Sequence, residues 1–152
     1  PDHHVLAGEA FIASVYNAIR KNPTLWKSTL LVVTYDEHGG IYDHVPPPPC
    51  MPDGFEASAA ATGTGVPFKF DRLGLRVPAV AISPWIPRAT VVAGTEDAAN
   101  GRVFEHASIP ATVMKAFNLS DDNRSPREKA ASTFLDLLSD QMRPDSDCPV
   151  FK

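Results

Sequence analysis

The chain has 152 residues, with 14 Lys and Arg against 18 Asp and Glu, a formal net charge of −4 and no long block of either sign. That length allows one domain with a buried core, or part of a larger one, and that charge balance excludes the basic footprint of a nucleic-acid binder. Fifteen prolines point to a fold rich in turns and extended loops, and no apolar stretch approaches the roughly 18 residues that span a bilayer, so the chain as given is expected to be soluble. It opens on Pro1 rather than Met, which leads us to expect an upstream portion.

From Val5 to Asn22 the apolar residues Phe11, Ile12, Val15, Tyr16 and Ile19 recur at three- and four-residue spacing. This predicts an amphipathic helix burying one face and ending at Asn22-Pro23, with Asp2 as a candidate cap. Residues 29–35, rich in β-branched and aromatic types without polar alternation, predict a strand covered on both faces. Residues 53–66, rich in Ala, Gly and Thr, read as an exposed, flexible loop able to act as a lid. A second buried strand is predicted from Val77 to Ile82, stopped by Ser83-Pro84. Ser108 to Leu119 reads as a helix capped by Ser108, with Ile109, Val113 and Phe117 on one face. A last helix opens at the capping box Ser125-Pro-Arg-Glu128 and runs to about Gln141, with Phe134, Leu137 and Leu138 inward. A helix followed by a buried strand indicates an α/β domain, and the sheet is expected to be mainly parallel and flanked by helices.

The chemistry concentrates behind the first strand. Asp36 and Glu37 sit where the ligand crevice of an open parallel sheet would lie, and a break at Gly39-Gly40 lets both carboxylates turn toward one point. Such hard oxygen donors suit Mg²⁺, Ca²⁺ or Mn²⁺, and His38 and His44 widen the choice to Zn²⁺ or Fe. All five histidines fall in three polar clusters that also hold a carboxylate: Asp2-His3-His4, Asp36 to His44, and Glu105-His106. A carboxylate can orient an imidazole and fix its tautomer, so the pattern reads as a metal or phosphate-ester centre assembled from several loops. Plainer readings stand beside it: a solvated acid pair, a disordered tail at His3 and His4, a local Asp43–His44 pair, and a polyproline segment at Pro46–Pro49 that shapes the loop. Cys50 and Cys148 are too far apart in sequence for a C-x-x-C metal pair, and a disulfide between them stays open.

"TLLVVTYDEHGGIYDHVPPP", "KFDRLGLRVPAVAISPWI" and "FEHASIPATVMKAF" follow one another in this order. Together they resemble the C-terminal part of the phosphoesterase family that contains bacterial non-haemolytic phospholipases C, plant non-specific phospholipases C and certain acid phosphatases. The resemblance implies a three-layer α/β fold like that of alkaline phosphatase, of which residues 1–152 would be the C-terminal portion. It implies Asp36 and Glu37 as acidic ligands of a divalent metal, His3, His4 and His106 as site histidines, and His38, Gly39, Gly40, Asp43 and His44 as residues that hold the loop. The family's nucleophile, a Thr or Ser, and a second metal-binding Glu-Asn pair come from an N-terminal region with no counterpart here. Neither Thr34 nor Ser83 stands in the nucleophile's context, so the chain is expected to be a half-site.

The implied reaction is phospholipase C-type cleavage of a glycerophospholipid such as phosphatidylcholine. The alternatives are an acid-phosphatase-like phosphomonoesterase and a non-catalytic metal-binding or structural fragment. Ile41, Val45, Met51 and Phe55 are candidates for an apolar entrance. The implied partners are a phospholipid or small phosphate ester, a membrane surface touched transiently, and the N-terminal part of the same enzyme; the implied location is secreted or periplasmic.

Overall fold

In the computed structural model, which describes residues 4–92 and 103–151, two short strands pair antiparallel. Strand β1, Leu31–Thr34, runs against β2, Ala79–Ile82, in the register Leu31–Ile82 to Thr34–Ala79. The mainly parallel arrangement expected from sequence is therefore not what joins these strands. A parallel pair needs a crossover, usually a helix of several turns. The segment between them instead folds back on itself and carries a single helical turn, α3, Ala59–Thr62. Nor is β1 covered on both faces: its residues are half-buried or exposed, because the sheet has two strands among the described residues. The architecture is mixed helix with a small antiparallel sheet, compatible with the α/β class.

The described residues form two units, one of 4–36, 78–91 and 137–151, the other of 37–77, 92 and 103–136. In the first, helix α1, Val5–Arg20, is followed by α2, Pro23–Lys27. Asn22 ends one and starts the other: its Oδ1 accepts from the N–H groups of Thr24 and Leu25, both at 3.1 Å, and Pro23 supplies the preset φ of a first helical position. This short second helix was not legible in the apolar spacing. It places Trp26 edge-on to Tyr16 at 5.7 Å, and the two form a core with Cys148 against Ile19, Leu31 and Ile82. The C-terminal tail is fastened to α1 by polar ties. Tyr16 donates to the Pro149 carbonyl at 2.8 Å, Arg20 to the Cys148 carbonyl at 2.6 Å, and Asn17 exchanges two hydrogen bonds with the Phe151 backbone.

The predicted apolar face of α1 is only half used. Tyr16 is buried, but Val5, Leu6 and Phe11 are exposed, since among the described residues the core packs on the C-terminal half of the helix, at Tyr16 and Ile19. Behind β2, Ser83 is fully buried and the turn is held by Ser139 donating to the Trp85 carbonyl and Arg143 to the Pro84 carbonyl, each at 2.8 Å. Both cysteines are free thiols, and no helix among the described residues is long and apolar enough to cross a membrane.

In the second unit, residues 37–77 form a long irregular hairpin, with bridges between Pro49 and Arg72 and between Ala57 and Phe68. Helix α4, Ser108–Ala116, differs from its sequence reading on two counts. Ala107 takes the cap position without a side-chain bond, while Ser108 lies inside the helix with its hydroxyl accepting from the Glu105 N–H at 3.0 Å. Its buried face is the small, polar one of Ser108, Ala111 and Thr112, whereas Ile109, Val113 and Phe117 are exposed.

Helix α5 opens as predicted, with Ser125 Oγ accepting from Glu128 N–H at 3.1 Å, but it spans only Pro126–Ala130. The chain resumes as a 3₁₀ turn, Phe134–Leu137, instead of continuing to Gln141. The break has a tertiary cause: Phe134 N–H donates to Thr112 Oγ1 at 2.9 Å rather than to a carbonyl four residues back, and its ring stacks on Phe104 at 4.8 Å.

Candidate active site

The stretch that follows β1 has a geometry its glycines dictate. Asp36 stands two residues beyond the strand and is exposed, as is Glu37. Glu37 Oε2 accepts from the Gly39 N–H at 2.8 Å, and the His38 carbonyl accepts from the Ile41 N–H at 3.1 Å, closing a tight turn. Gly39 and Gly40 occupy its central positions at φ of 65° and 74°, the left-handed pair of a type I′ turn that side-chain-bearing residues resist. The break expected at Gly39-Gly40 is thus present. His38 Nδ1 is buried in this turn without a hydrogen-bond partner.

Asp43, six residues beyond Glu37, is anchored from two sides. Arg76 donates to it twice, Nε to Oδ2 at 2.7 Å and Nη2 to Oδ1 at 2.8 Å, and the Val45 N–H reaches Oδ1 at 3.1 Å. The Arg76 hydrogen bonds, with the Val45 amide behind them, hold the Asp43 carboxyl well below the ordinary carboxylate range. His44 lies farther off, 3.7 Å from Asp43 Oδ1, with its ring exposed. The local Asp43–His44 pair is therefore secondary to an arginine 33 residues away. Sequence reasoning missed Arg76; the available signal was a lone cation inside the apolar run Leu75-Arg76-Val77-Pro78, which calls for an acid partner.

His4 is placed by α1, of which it is the N-cap: its Nδ1 accepts from the Leu6 N–H at 3.2 Å. With Nδ1 engaged as acceptor, the neutral ring carries its proton on Nε2. Asp2 and His3 lie outside the described residues. His106 sits exposed in the turn that opens α4, its carbonyl accepting from the Ile109 N–H at 3.1 Å. The neighbouring Glu105 carboxylate forms an ion pair with Arg127, another partner that the sequence reading did not supply. Burial pushes the Arg127 guanidinium down, yet the Glu105 hydrogen bond and charge raise it overall.

Two other groups drop out as nucleophiles. Burial pushes the Cys50 thiol up, away from the reactive thiolate, and the Ser83 hydroxyl is enclosed. A depression of about 390 Å³ between α4 and α5, lined by Lys115, Arg124 and Lys129 with Asp121 and Asp136, contains none of the candidate residues. Its charges are largely spent internally, Lys115 on Asp136 at 3.1 Å and Arg124 on Asp121 and Glu128.

A divalent metal asks for several hard donors at one point. Asp36 and Glu37 have the right chemistry, and the unsatisfied His38 Nδ1 is a further nitrogen in the same turn. No group of three or more His, Cys, Asp or Glu among the described residues is arranged to hold a metal ion. The donor set fits in kind and falls short in number.

The sequence matches the Phosphoesterase family over residues 1–120. Over 153 aligned residues it is 45% identical to non-specific phospholipase C6 of Arabidopsis thaliana, covering 99% of this chain and 28% of that protein. Non-specific phospholipase C1 of the same plant is 44% identical over 98% of the chain and 27% of its own length. The hemolytic phospholipase C of Pseudomonas aeruginosa is 34% identical over 88% of the chain and 18% of its own length. The chain thus spans little more than a quarter of the plant relatives it matches. With that match running over residues 1–120, and the Asp36-Glu37 turn within it, the chain belongs to the Phosphoesterase family.

Proposed function

We propose that this chain is the C-terminal part of a phosphoric ester hydrolase of phospholipase C type, contributing acidic metal donors and site histidines to a centre completed by an N-terminal region. The observation that carries the reading is the Asp36-Glu37-His38 turn directly behind β1, with its buried, unsatisfied imidazole nitrogen, in a chain 45% identical to a non-specific phospholipase C. In the longer protein these elements would form one part of a three-layer alkaline-phosphatase-like fold, secreted or periplasmic in location.

Asp36 and Glu37 would hold a divalent cation, which when bound neutralises charge building on the oxygens around phosphorus. The protein's own groups supply the rest. His4, with Nδ1 held by the Leu6 amide and its proton on Nε2, would donate a hydrogen bond through Nε2 to the departing oxygen, and an imidazolium of His3 or His106 would supply the proton which that oxygen takes up. Attack on phosphorus falls to a Thr or Ser of the N-terminal region, since Cys50 and Ser83 are enclosed or unreactive. For a phosphatidylcholine substrate that attack would expel diacylglycerol, which takes up the transferred proton and leaves phosphocholine esterified to the Thr or Ser, and water would then cleave this ester, releasing phosphocholine and restoring the hydroxyl. Exposed Ile41, Tyr42, Met51 and Phe55 in the second unit favour a lipid over a soluble monoester.

The test is hydrolysis of p-nitrophenyl phosphorylcholine and p-nitrophenyl phosphate by the 152-residue chain across Mg²⁺, Ca²⁺, Mn²⁺ and Zn²⁺, with calorimetric uptake of each metal and an Asp36→Ala/Glu37→Ala control. The half-site reading expects uptake that the double substitution abolishes, without turnover. Unchanged uptake in the control sinks the metal assignment, and turnover lost in the control shows a complete site within this chain.

A further inference from the structure

Four asparagines lie among the described residues, and their side chains are of two kinds. Asn17 exchanges two hydrogen bonds with the Phe151 backbone and Asn22 caps α2, so both side chains are committed. Asn118 and Asn123 are exposed, and neither side chain has a hydrogen-bond partner among the described residues. The sequence divides the four in the same way. Asn118-Leu119-Ser120 and Asn123-Arg124-Ser125 are both Asn-x-Ser with x other than proline, the pattern at which an oligosaccharide is joined to asparagine. Asn17-Ala18-Ile19 lacks the hydroxyl, and in Asn22-Pro23-Thr24 proline occupies the middle position that excludes transfer.

Both Asn-x-Ser stretches fall between α4 and α5, in the second unit. Asn118 closes α4: the Leu119 N–H reaches the Met114 carbonyl at 3.0 Å, and Asn118 itself stands at φ 50°. Asparagine tolerates this left-handed closing position better than most side-chain-bearing residues. The backbone alone performs that role, so a sugar on Nδ2 would take no bond from the turn. Exposed Val113, Phe117 and Leu119 lie beside it in sequence, and a hydrated sugar there would screen their apolar surface from other chains. The two serines differ from the asparagines. Ser120 Oγ donates to Asp122 Oδ2 at 2.6 Å, and Ser125 Oγ caps α5. Both hydroxyls are engaged once the turn has folded, which places sugar transfer before folding, on the extended chain.

We propose that Asn118 and Asn123 are attachment sites for N-linked oligosaccharides, joined as the chain enters a secretory compartment and standing in solvent after it folds. In the transfer, the amide Nδ2 bonds to the anomeric carbon of a lipid-diphosphate-linked oligosaccharide. The bond from that carbon to the diphosphate oxygen breaks, and the proton lost by the nitrogen ends on the released lipid diphosphate. This rests on the secreted location proposed above, and the two can fail separately.

The first experiment makes the 152-residue chain, behind an added leader, in a eukaryotic secretory compartment, beside Asn118→Gln, Asn123→Gln, the double variant, Ser120→Ala and Ser120→Thr. Gel mobility is read before and after treatment, without denaturant, with an amidase that splits the sugar from asparagine. The parent and Ser120→Thr should show two steps of slower mobility, each single Asn variant and Ser120→Ala one step, and the double variant none. Because transfer precedes folding, a variant that folds poorly still reports its steps. A parent chain without sugar overturns the proposal, and a single Asn variant that loses no step overturns that site. Sugar released only after denaturation overturns the exposed placement. The second experiment applies the same amidase to the protein in fractions of its source cells. Protein outside the cell without sugar overturns the attachment alone, whereas protein kept in the cytosol overturns the secreted location and the attachment with it.

Discussion

Replacing Thr112 by Val tests the tertiary bond that ends α5 and supports the segment bearing His106. Thr112 Oγ1 donates to the Ser108 carbonyl at 2.6 Å and accepts from the Phe134 N–H at 2.9 Å, in a buried setting. Valine has the same shape, so no cavity opens, and the Ser108 carbonyl keeps its helical partner. The Phe134 N–H is then left buried without an acceptor, at a cost of about 1–3 kcal/mol. Taking about 2 kcal/mol, and roughly 2–4 °C per kcal/mol for a chain of this size, the melting temperature should fall by about 4–8 °C. Thr112→Ser keeps the hydroxyl and loses one methyl, about 1 kcal/mol, so it should melt between the parent and the valine variant. Thermal melts followed by circular dichroism give the order, and exchange of the Phe134 amide gives the local effect, which only Val should raise. A valine variant that melts with the parent, or a serine variant that melts below valine, refutes the bond as the cause of the helix break.

Gly39→Ala and Gly40→Ala should each strain the turn by about 1–2 kcal/mol purely through the backbone, since an added Cβ meets nothing within 4 Å at either position. Both should lower Mn²⁺ affinity, whereas Gly8→Ala, in open space on α1, should raise the urea midpoint; affinity unaffected by both turn substitutions contradicts the required geometry. Asp43 is held below its ordinary range when folded, against about 3.9 when unfolded, so the unfolded state binds more protons as pH falls. The contribution of the Arg76 pair is therefore full above about pH 5 and lost as pH drops below about 4 toward the native value. Exchange at residues 37–45, corrected for its intrinsic rate, should rise in that window in the parent and stay flat in Asp43→Asn; a parallel rise in both would point to another group. Ile41→Glu combined with Phe55→Glu, at side chains 73% and 71% exposed, should weaken binding to phosphatidylcholine vesicles at least about tenfold with little change in melting temperature. Equal vesicle binding would move the substrate toward a soluble ester.

Features that depend on a few neighbouring residues were legible in the sequence. The Asn22-Pro23 stop, the Ser125 cap and the left-handed Gly39-Gly40 turn each follow from local backbone chemistry, and the structure shows all three. That Asp36 and Glu37 stand just behind the first strand was legible for the same reason, while their role as metal donors belongs to the proposal. What depended on distant partners was not. The buried face of α4 went to Ser108, Ala111 and Thr112 rather than to its larger apolar residues, with the Thr112 hydroxyl there taking the Phe134 amide, and α5 stopped at Ala130 because that hydroxyl, 22 residues away, captured the amide. Hydrophobic spacing states how much apolar surface a helix offers, not which part of it finds a partner, as exposed Val5 and Phe11 on α1 show. The antiparallel pairing of β1 with β2 and the Asp43–Arg76 tie likewise arise only once the chain has folded back across more than 30 residues, since the free energy of both resides in contacts that no local window of sequence contains.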